Sequence, residues 1–453
     1  MKSRTFKIIF IFLLISGLLL ALGVWYATPR LPIISAYVAK NVCSCVFVAG
    51  WEPVDGVDFR GFPLNLGNYT IDHTRKTVRS TVFGLAPQEV IYRPGLGCAL
   101  RVNPALPYQS RGADLPALRV RARSDHNSWP EGRIYPDSFP PTVNRSKLKA
   151  AIASAFDPPG SKPTHFTRGV VVIYQNKYLS EQYTPGFDRN TPQLGWSMTK
   201  SIVNAWIGIL VNQHKINLLD PAPVKAWQND PRRAISWLHL LQMCSGLAWK
   251  EEYSTVSSAT QMLFTGSQVY QVAIQSPAAA KPGEVWQYSS GTTNILSGLI
   301  RKVIGNDALY HRFPYEALFY PLGIGSATIE ADASGTFVGS SFGWATPRDW
   351  ARLGLLYLND GVWQGQRILP EKWVHFSTTP APASEGVYGA HIWLNRSGKF
   401  PDLPRDMYYF AGYQGQRVFI IPSRQLVIVR MGISEEDTFD FNEWMERVLE
   451  VFG

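Results

Sequence analysis

The stretch Gly195-Trp-Ser-Met-Thr-Lys-Ser-Ile-Val-Asn-Ala-Trp-Ile-Gly-Ile-Leu-Val211 reads as a long apolar helix whose first turn carries a hydroxyl and an amine. Its apolar residues from Ile202 onward follow helical spacing. Ser197 and Lys200 stand three positions apart, so on a helix they share a face and the amine lies beside the hydroxyl. A serine hydroxyl is a poor nucleophile until a neighbouring base takes its proton. Lysine serves as that base when burial makes it neutral, because desolvation disfavours the ammonium. The helix N-terminus adds free backbone N–H groups and a positive dipole end. The same spacing recurs at Ser146-Lys-Leu-Lys149, read as a helix N-cap serine followed by a solvated lysine. A plain capping role for Ser197 is the structural alternative.

Two later segments carry compatible chemistry. Pro282-Gly-Glu-Val-Trp-Gln-Tyr288-Ser-Ser290-Gly reads as a loop leading into a helix. A tyrosine near cations is drawn toward phenolate and can shuttle a proton between nucleophile and leaving group; the alternative is a half-buried tyrosine with a satisfied hydroxyl. Phe410-Ala-Gly412-Tyr413-Gln414-Gly415-Gln416 opens the last strand pair, where small residues let a strand edge approach another group closely. The backbone N–H of Tyr413, together with that of Ser197, is expected to face an oxyanion. Trp286, Ser290, Gly412 and Gln414 are the expected substrate contacts. Gly-x-Ser-x-Gly is absent around Ser197, the eight histidines are scattered away from these segments, and no phosphate-cradling or dinucleotide motif occurs. No cofactor is expected. No metal site is expected either, because Cys43-Ser-Cys45 has no nearby histidine partner.

With 453 residues, 45% hydrophobic and 17% charged, the chain is too apolar for intrinsic disorder and long enough for a large core. Its 44 Lys and Arg against 34 Asp and Glu give +10, but no Lys/Arg block appears, so no nucleic-acid partner is expected. Lys2, Arg4 and Lys7 precede an uncharged run from Ile8 to Tyr26, whose helical length of about 28 Å matches a bilayer's hydrocarbon core. The flanking charge keeps the start in the cytoplasm and sends the body across. A retained inner-membrane anchor facing the periplasm is the favoured reading. The alternative is a cleaved signal with a small-residue site at Ala21-Leu22-Gly23, giving a periplasmic or secreted protein. Export permits a disulfide from Cys43 or Cys45 to Cys98, whereas Cys244, in an apolar stretch, reads as a buried thiol.

Residues 1–27 are thus the membrane segment, and 28–144 a strand-rich extension ending in a Pro/Ser/Asp-rich linker over Ser124–Pro141. Residues 145–453 form the main domain. There, a hairpin around Gln175-Asn-Lys and another around Pro422-Ser-Arg-Gln bracket some two hundred residues of helical pattern, with a final helix over 437–452. The expectation is an α+β fold: one antiparallel sheet built from both ends, and an α-subdomain over about 200–400 beside it.

The order Ser-x-x-Lys, Tyr-x-Ser and a Gly-containing strand motif resembles the serine beta-lactamase and penicillin-binding-protein superfamily. It is most similar to the class C branch and the 6-aminohexanoate-dimer hydrolase group. His239-Leu-Leu-Gln-Met-Cys-Ser-Gly-Leu-Ala-Trp, Pro282-Gly-Glu and Gly412-Tyr-Gln-Gly-Gln carry the same resemblance, over about residues 145–453. It implies an antiparallel sheet flanked by helices, an all-α domain, and an active site between them. It also implies Ser197 as acyl-forming nucleophile, Lys200 as its base and Tyr288 as proton relay, acting on a small-molecule or peptide-like amide or ester. Where the family often has Asn, this chain has Ser290; where it commonly has Lys-Thr-Gly or His-x-Gly, this chain has Phe410-Ala411-Gly412. No glutamate is assigned to deacylation. A penicillin-binding D,D-peptidase or beta-lactamase and a catalytically silent wall-binding protein are the competing readings.

Overall fold

The computed structural model describes residues 2–51, 64–101, 129–130, 140–434 and 438–452. Helix α1 (Lys2–Ala27) exposes its apolar side chains from Phe6 to Tyr26. Hydrogen bonds from Thr28 to the Val24 carbonyl and from Ile34 to the Arg30 carbonyl carry the chain into α2 (Leu31–Phe47). The two run on as one helix, 42 residues of which lie from Phe6 to Phe47. The strand reading that began at residue 28 is corrected here. Every residue of α2 from Ile34 to Cys45 is buried, and a helix that is apolar on all sides leaves no 3.6-residue stripe in the sequence.

Strands β1 (Gly67–Asp72), β2 (Thr77–Val82), β3 (Leu85–Arg93) and β4 (Gly97–Leu100) form an antiparallel meander that lies on α2. The approach is close: a Cβ on Gly67 would sit 2.7 Å from Val38 Cγ2. A disulfide joins Cys43 of α2 to Cys98 of β4, and Cys45 and Cys244 are buried thiols. Of the expected linker only Trp129, Pro130, Pro140 and Pro141 are among the described residues; the rest lies outside them. Helix α3 (Arg145–Ala153) is capped by Asn144, whose side chain accepts from the Lys147 N–H. Ser146 is therefore inside the first turn and is not the cap, while Lys149 is exposed as expected.

The main sheet takes strands from both ends of the domain. β5 (Thr167–Tyr174), β6 (Lys177–Tyr183), β7 (Trp393–Leu394), β8 (Tyr408–Gly412), β9 (Gln416–Ile421) and β10 (Leu426–Gly432) run antiparallel in the order β7-β8-β9-β10-β5-β6. Gln175 and Asn176, both with left-handed backbone (φ 49° and 61°), make the two-residue turn between β5 and β6. The helical stretch between β6 and β7 supplies α4 (Thr199–Asn212), α5 (Ser290–Ile304) and α6 (Pro347–Leu358). Alternation along the strands divides the core. Val172, Phe419 and Ile428 face α3 and the C-terminal helix α7 (Phe441–Leu449), whereas Val171, Val418 and Val427 face α6. Gly354 lets α6 settle on that face, since a Cβ there would fall 2.7 Å from Val427. Helix α7 starts later than expected, with Asp440 accepting from Asn442 and Glu443 N–H at its N-cap; Asp437 lies outside the described residues.

Candidate active site

Ser197 sits in a single 3₁₀ turn, Trp196–Met198, that feeds directly into α4. Local tethers fix the turn. The Gly195 N–H donates to the Gly343 carbonyl, the Gly343 N–H to Thr199 Oγ1, and Thr199 Oγ1 to the Trp196 carbonyl. Trp196 is held with φ at 48°, a left-handed conformation uncommon for a bulky residue. Gly195 is obligatory because a Cβ there would lie 2.2 Å from the Trp350 ring.

Lys200, 1% exposed, places Nζ 2.9 Å from Ser197 Oγ, 3.0 Å from Ser290 Oγ and 2.9 Å from the Ser340 carbonyl. Asn294 of α5 steadies Ser340 through two hydrogen bonds, to its hydroxyl and from its N–H. Burial lowers the Lys200 pKa to about 8, against an opposing pull from the Glu251 carboxylate.

Ser289 caps α5, accepting from the Thr292 N–H, which leaves Tyr288 in the loop just ahead of it. Ser197 lies close enough to the Tyr288 hydroxyl to pull its pKa down, and Lys200 Nζ lies 4.8 Å from the Tyr288 ring centre. Burial and then Glu251 push the Tyr288 pKa up, outweighing Ser197 and Arg417. The expected drift toward phenolate is therefore reversed: Tyr288 is a phenol. His391 corrects a second expectation, that no histidine adjoins these groups. It is buried beside α4, with its carbonyl accepting from Ser201 and Nε2 3.1 Å from Thr293 Oγ1. Burial, aided by the Lys200 charge, lowers its pKa to about 3, so it is neutral.

Glu251 was invisible in the sequence. It accepts from Ser290 Oγ (2.5 Å), the Ser290 N–H (2.8 Å), Trp249 Nε1 (2.5 Å) and the Tyr253 hydroxyl (2.9 Å). A continuous chain of polar atoms thus runs Ser197–Lys200–Ser290–Glu251. The residue lies in a loop of irregular structure, 39 positions before Ser290, where no periodicity marks it. The pattern Trp249-Lys-Glu-Glu-Tyr253 is the only local signal.

At the third segment, β8 ends against the Ser197 turn. A Cβ on Gly412 would fall 2.0 Å from the Gly195 carbonyl, so only glycine admits this contact. Arg417 on β9, opposite Ala411, donates to the Gly412 and Gln416 carbonyls and so braces the same backbone. Phe410 is buried edge-on against Tyr357. Tyr413 packs edge-on against Trp196 and stacks on Tyr253, leaving 39% of its surface exposed. Trp286 joins Tyr388 and Trp393 in an aromatic wall that also receives Tyr288. Gln414 stands apart from these groups. It lines a small cavity with Tyr37, Gln193 and Trp196, whose walls among the described residues include neither Ser197, Lys200 nor Tyr288.

A buried lysine thus lies on a serine hydroxyl where the antiparallel sheet meets the helical stretch. The chain matches the beta-lactamase family over residues 165–451, and it belongs to that family. It is 24% identical over 367 residues to a 6-aminohexanoate-dimer hydrolase of Paenarthrobacter ureafaciens, covering 72% of this chain and 90% of that protein. Among solved structures it is similar to a family VIII carboxylesterase (TM-score 0.54, 15% identity, 69% of this chain and 97% of that one). It is also similar to a penicillin-binding protein homologue from Caulobacter crescentus (TM-score 0.52, 14% identity, 70% and 99%). By family the chain is a hydrolase.

Proposed function

We propose that this chain is a membrane-anchored serine hydrolase that cleaves an amide or ester through a covalent acyl-enzyme. The observation that carries the reading is the Lys200 amine, nearly solvent-free, 2.9 Å from the Ser197 hydroxyl. In its neutral form the amine keeps two N–H donors for Ser290 and Ser340 and turns its lone pair to Ser197. As Ser197 Oγ attacks the carbonyl carbon, its proton passes to Lys200. The oxyanion is held by the N–H groups of Ser197 and Tyr413, each worth roughly 10²–10³ in rate. Tyr288, a phenol against Ser197, hands a proton to the departing amine or alkoxide and is reprotonated from Lys200. Water then cleaves the acyl-enzyme by the reverse route. Ser290 and Glu251 are positioning residues that hold Lys200. Trp286 and Gly412 are assigned to substrate contact, whereas Gln414, in a separate cavity, is not. Exposed, apolar α1 is assigned as the anchor, with the body on the periplasmic side.

The direct test is intact-mass analysis of the full chain after exposure to an activated ester, a linear amide and a fluorescent penicillin. A stoichiometric acyl adduct on the peptide bearing Ser197 is expected from the ester or amide. Absence of adduct and turnover with all three, together with retention on peptidoglycan, points instead to a silent binding protein.

The Lys200 pKa fixes the pH dependence. The amine must be neutral to act, and below about pH 8 the ammonium prevails. Acylation, read as kcat/KM, is expected to fall about tenfold per unit below that point and to level off above it. Glu251→Gln removes the charge that raises the Lys200 pKa. Its rising limb is therefore expected to move to lower pH, measured as a shifted midpoint in the same profile. A merely structural role for Glu251 lowers the plateau and leaves the midpoint in place.

A further inference from the structure

We propose that the hairpin tip Phe83-Gly84-Leu85 is a second membrane contact, seated in the headgroup zone of the bilayer that α1 crosses. The proposal rests on the reading of α1 as an anchor and goes beyond it, because it fixes how the catalytic body sits on the lipid.

The tip is badly explained from within the fold. Val82 pairs with Leu85, so Phe83 and Gly84 form a two-residue turn, both with positive φ (52° and 75°). Such turns favour Asn or Asp ahead of Gly, and a bulky aromatic in left-handed backbone is strained. Packing gives nothing back, since Phe83 is 70% and Leu85 59% exposed. Among the described residues outside α1, these are the only exposed large apolar side chains within two positions of each other. A paired apolar tip held against its own turn preference suits an apolar partner outside the molecule.

Its direction identifies the partner. At the far end of α2, the Phe47 ring lies 5.9 Å from His73 and 5.8 Å from Tyr92, beside the β1–β2 turn. Nearer α1, Val38 packs on Gly67, whose partner across the ladder is Val82. The meander thus runs along α2 with its β2–β3 tip pointing toward α1. Val38 is about 16 Å along the helix from Ala27, and the tip extends some 7 Å past that level, leaving roughly 10 Å to the end of the span. A phenylalanine side chain covers much of that gap. Trp25 and Tyr26, both exposed, with the Arg30 guanidinium 3.5 Å over the Tyr26 ring, mark the interfacial level at that end.

The test is quenching of an environment-sensitive fluorophore on the full chain in phosphatidylcholine vesicles carrying nitroxide-labelled lipid. Labels go on Phe83→Cys, on Leu14→Cys within α1, and on Thr74→Cys at the opposite end of the meander; the unsubstituted chain reports any labelling of Cys45 and Cys244. Quenching at 14 and 83 but not at 74 is the expected result. Quenching at 14 with position 83 as bright as 74 overturns the tip contact and spares the anchor. No quenching at 14 or 83 overturns both.

Discussion

Replacing Ser197 with alanine is expected to abolish acyl-enzyme formation and to cut kcat by about 10⁴–10⁶, the scale on which serine hydrolases respond to losing the nucleophile. The fold should survive. Among the described residues the hydrogen bond to the Ser197 hydroxyl comes from Lys200, and Lys200 keeps Ser290 and the Ser340 carbonyl. The turn itself is tethered through Gly195, Thr199 and Gly343. Thermal unfolding within a degree or two of the parent, alongside lost turnover, is the expected pair of readings. Turnover of every substrate at the parental rate, with the adduct still forming, ends the assignment of Ser197 as nucleophile.

The juxtaposition of Ser197 and Lys200 could be read from the chain because its geometry is local. Ser197 and Lys200 are one helical turn apart, and Tyr288 and Ser290 announce themselves by standing at a loop-to-helix junction. The two-ended sheet was equally legible, since β5, β6, β9 and β10 are short, β-branched and bounded by turn residues. What could not be read depends on tertiary contact. Glu251 gains its meaning only from Ser290, and Arg417 only from the carbonyl of Gly412 across the ladder. Whether Tyr288 is a phenol or a phenolate is decided by desolvation, which no spacing reports. Helix α2 was misread for a related reason. Buried on all sides, it has no polar face to set the period, and its lone cation, Lys40, finds its partner 290 residues away.

That partner makes α2 a structural part of the main domain. Glu330 accepts from Lys40 Nζ (2.6 Å), Ser44 Oγ (2.9 Å), the Cys98 N–H (2.6 Å) and Trp344 Nε1 (2.8 Å). It therefore ties α2, β4 and the strand beside Ser197 into one knot. Its side chain is 0% exposed and that of Lys40 6%. Burial drives the Lys40 pKa down while Glu330 holds it up. Glu330→Ala strands a buried ammonium and three other donors, so a loss of about 3–5 kcal/mol is expected, or roughly 10 °C in melting temperature. Activity should fall with it, because α2 also carries Tyr37, stacked 6.1 Å from the Trp196 ring next to Ser197. The double variant Lys40→Met, Glu330→Leu removes both charges and should recover most of the loss, since a buried pair gains little over well-packed apolar residues of similar volume. If the single variant melts with the parent, α2 is a dispensable attachment. If the double melts no higher than the single, the penalty lies in the unsatisfied Cys98 and Trp344 donors and the ion pair is incidental.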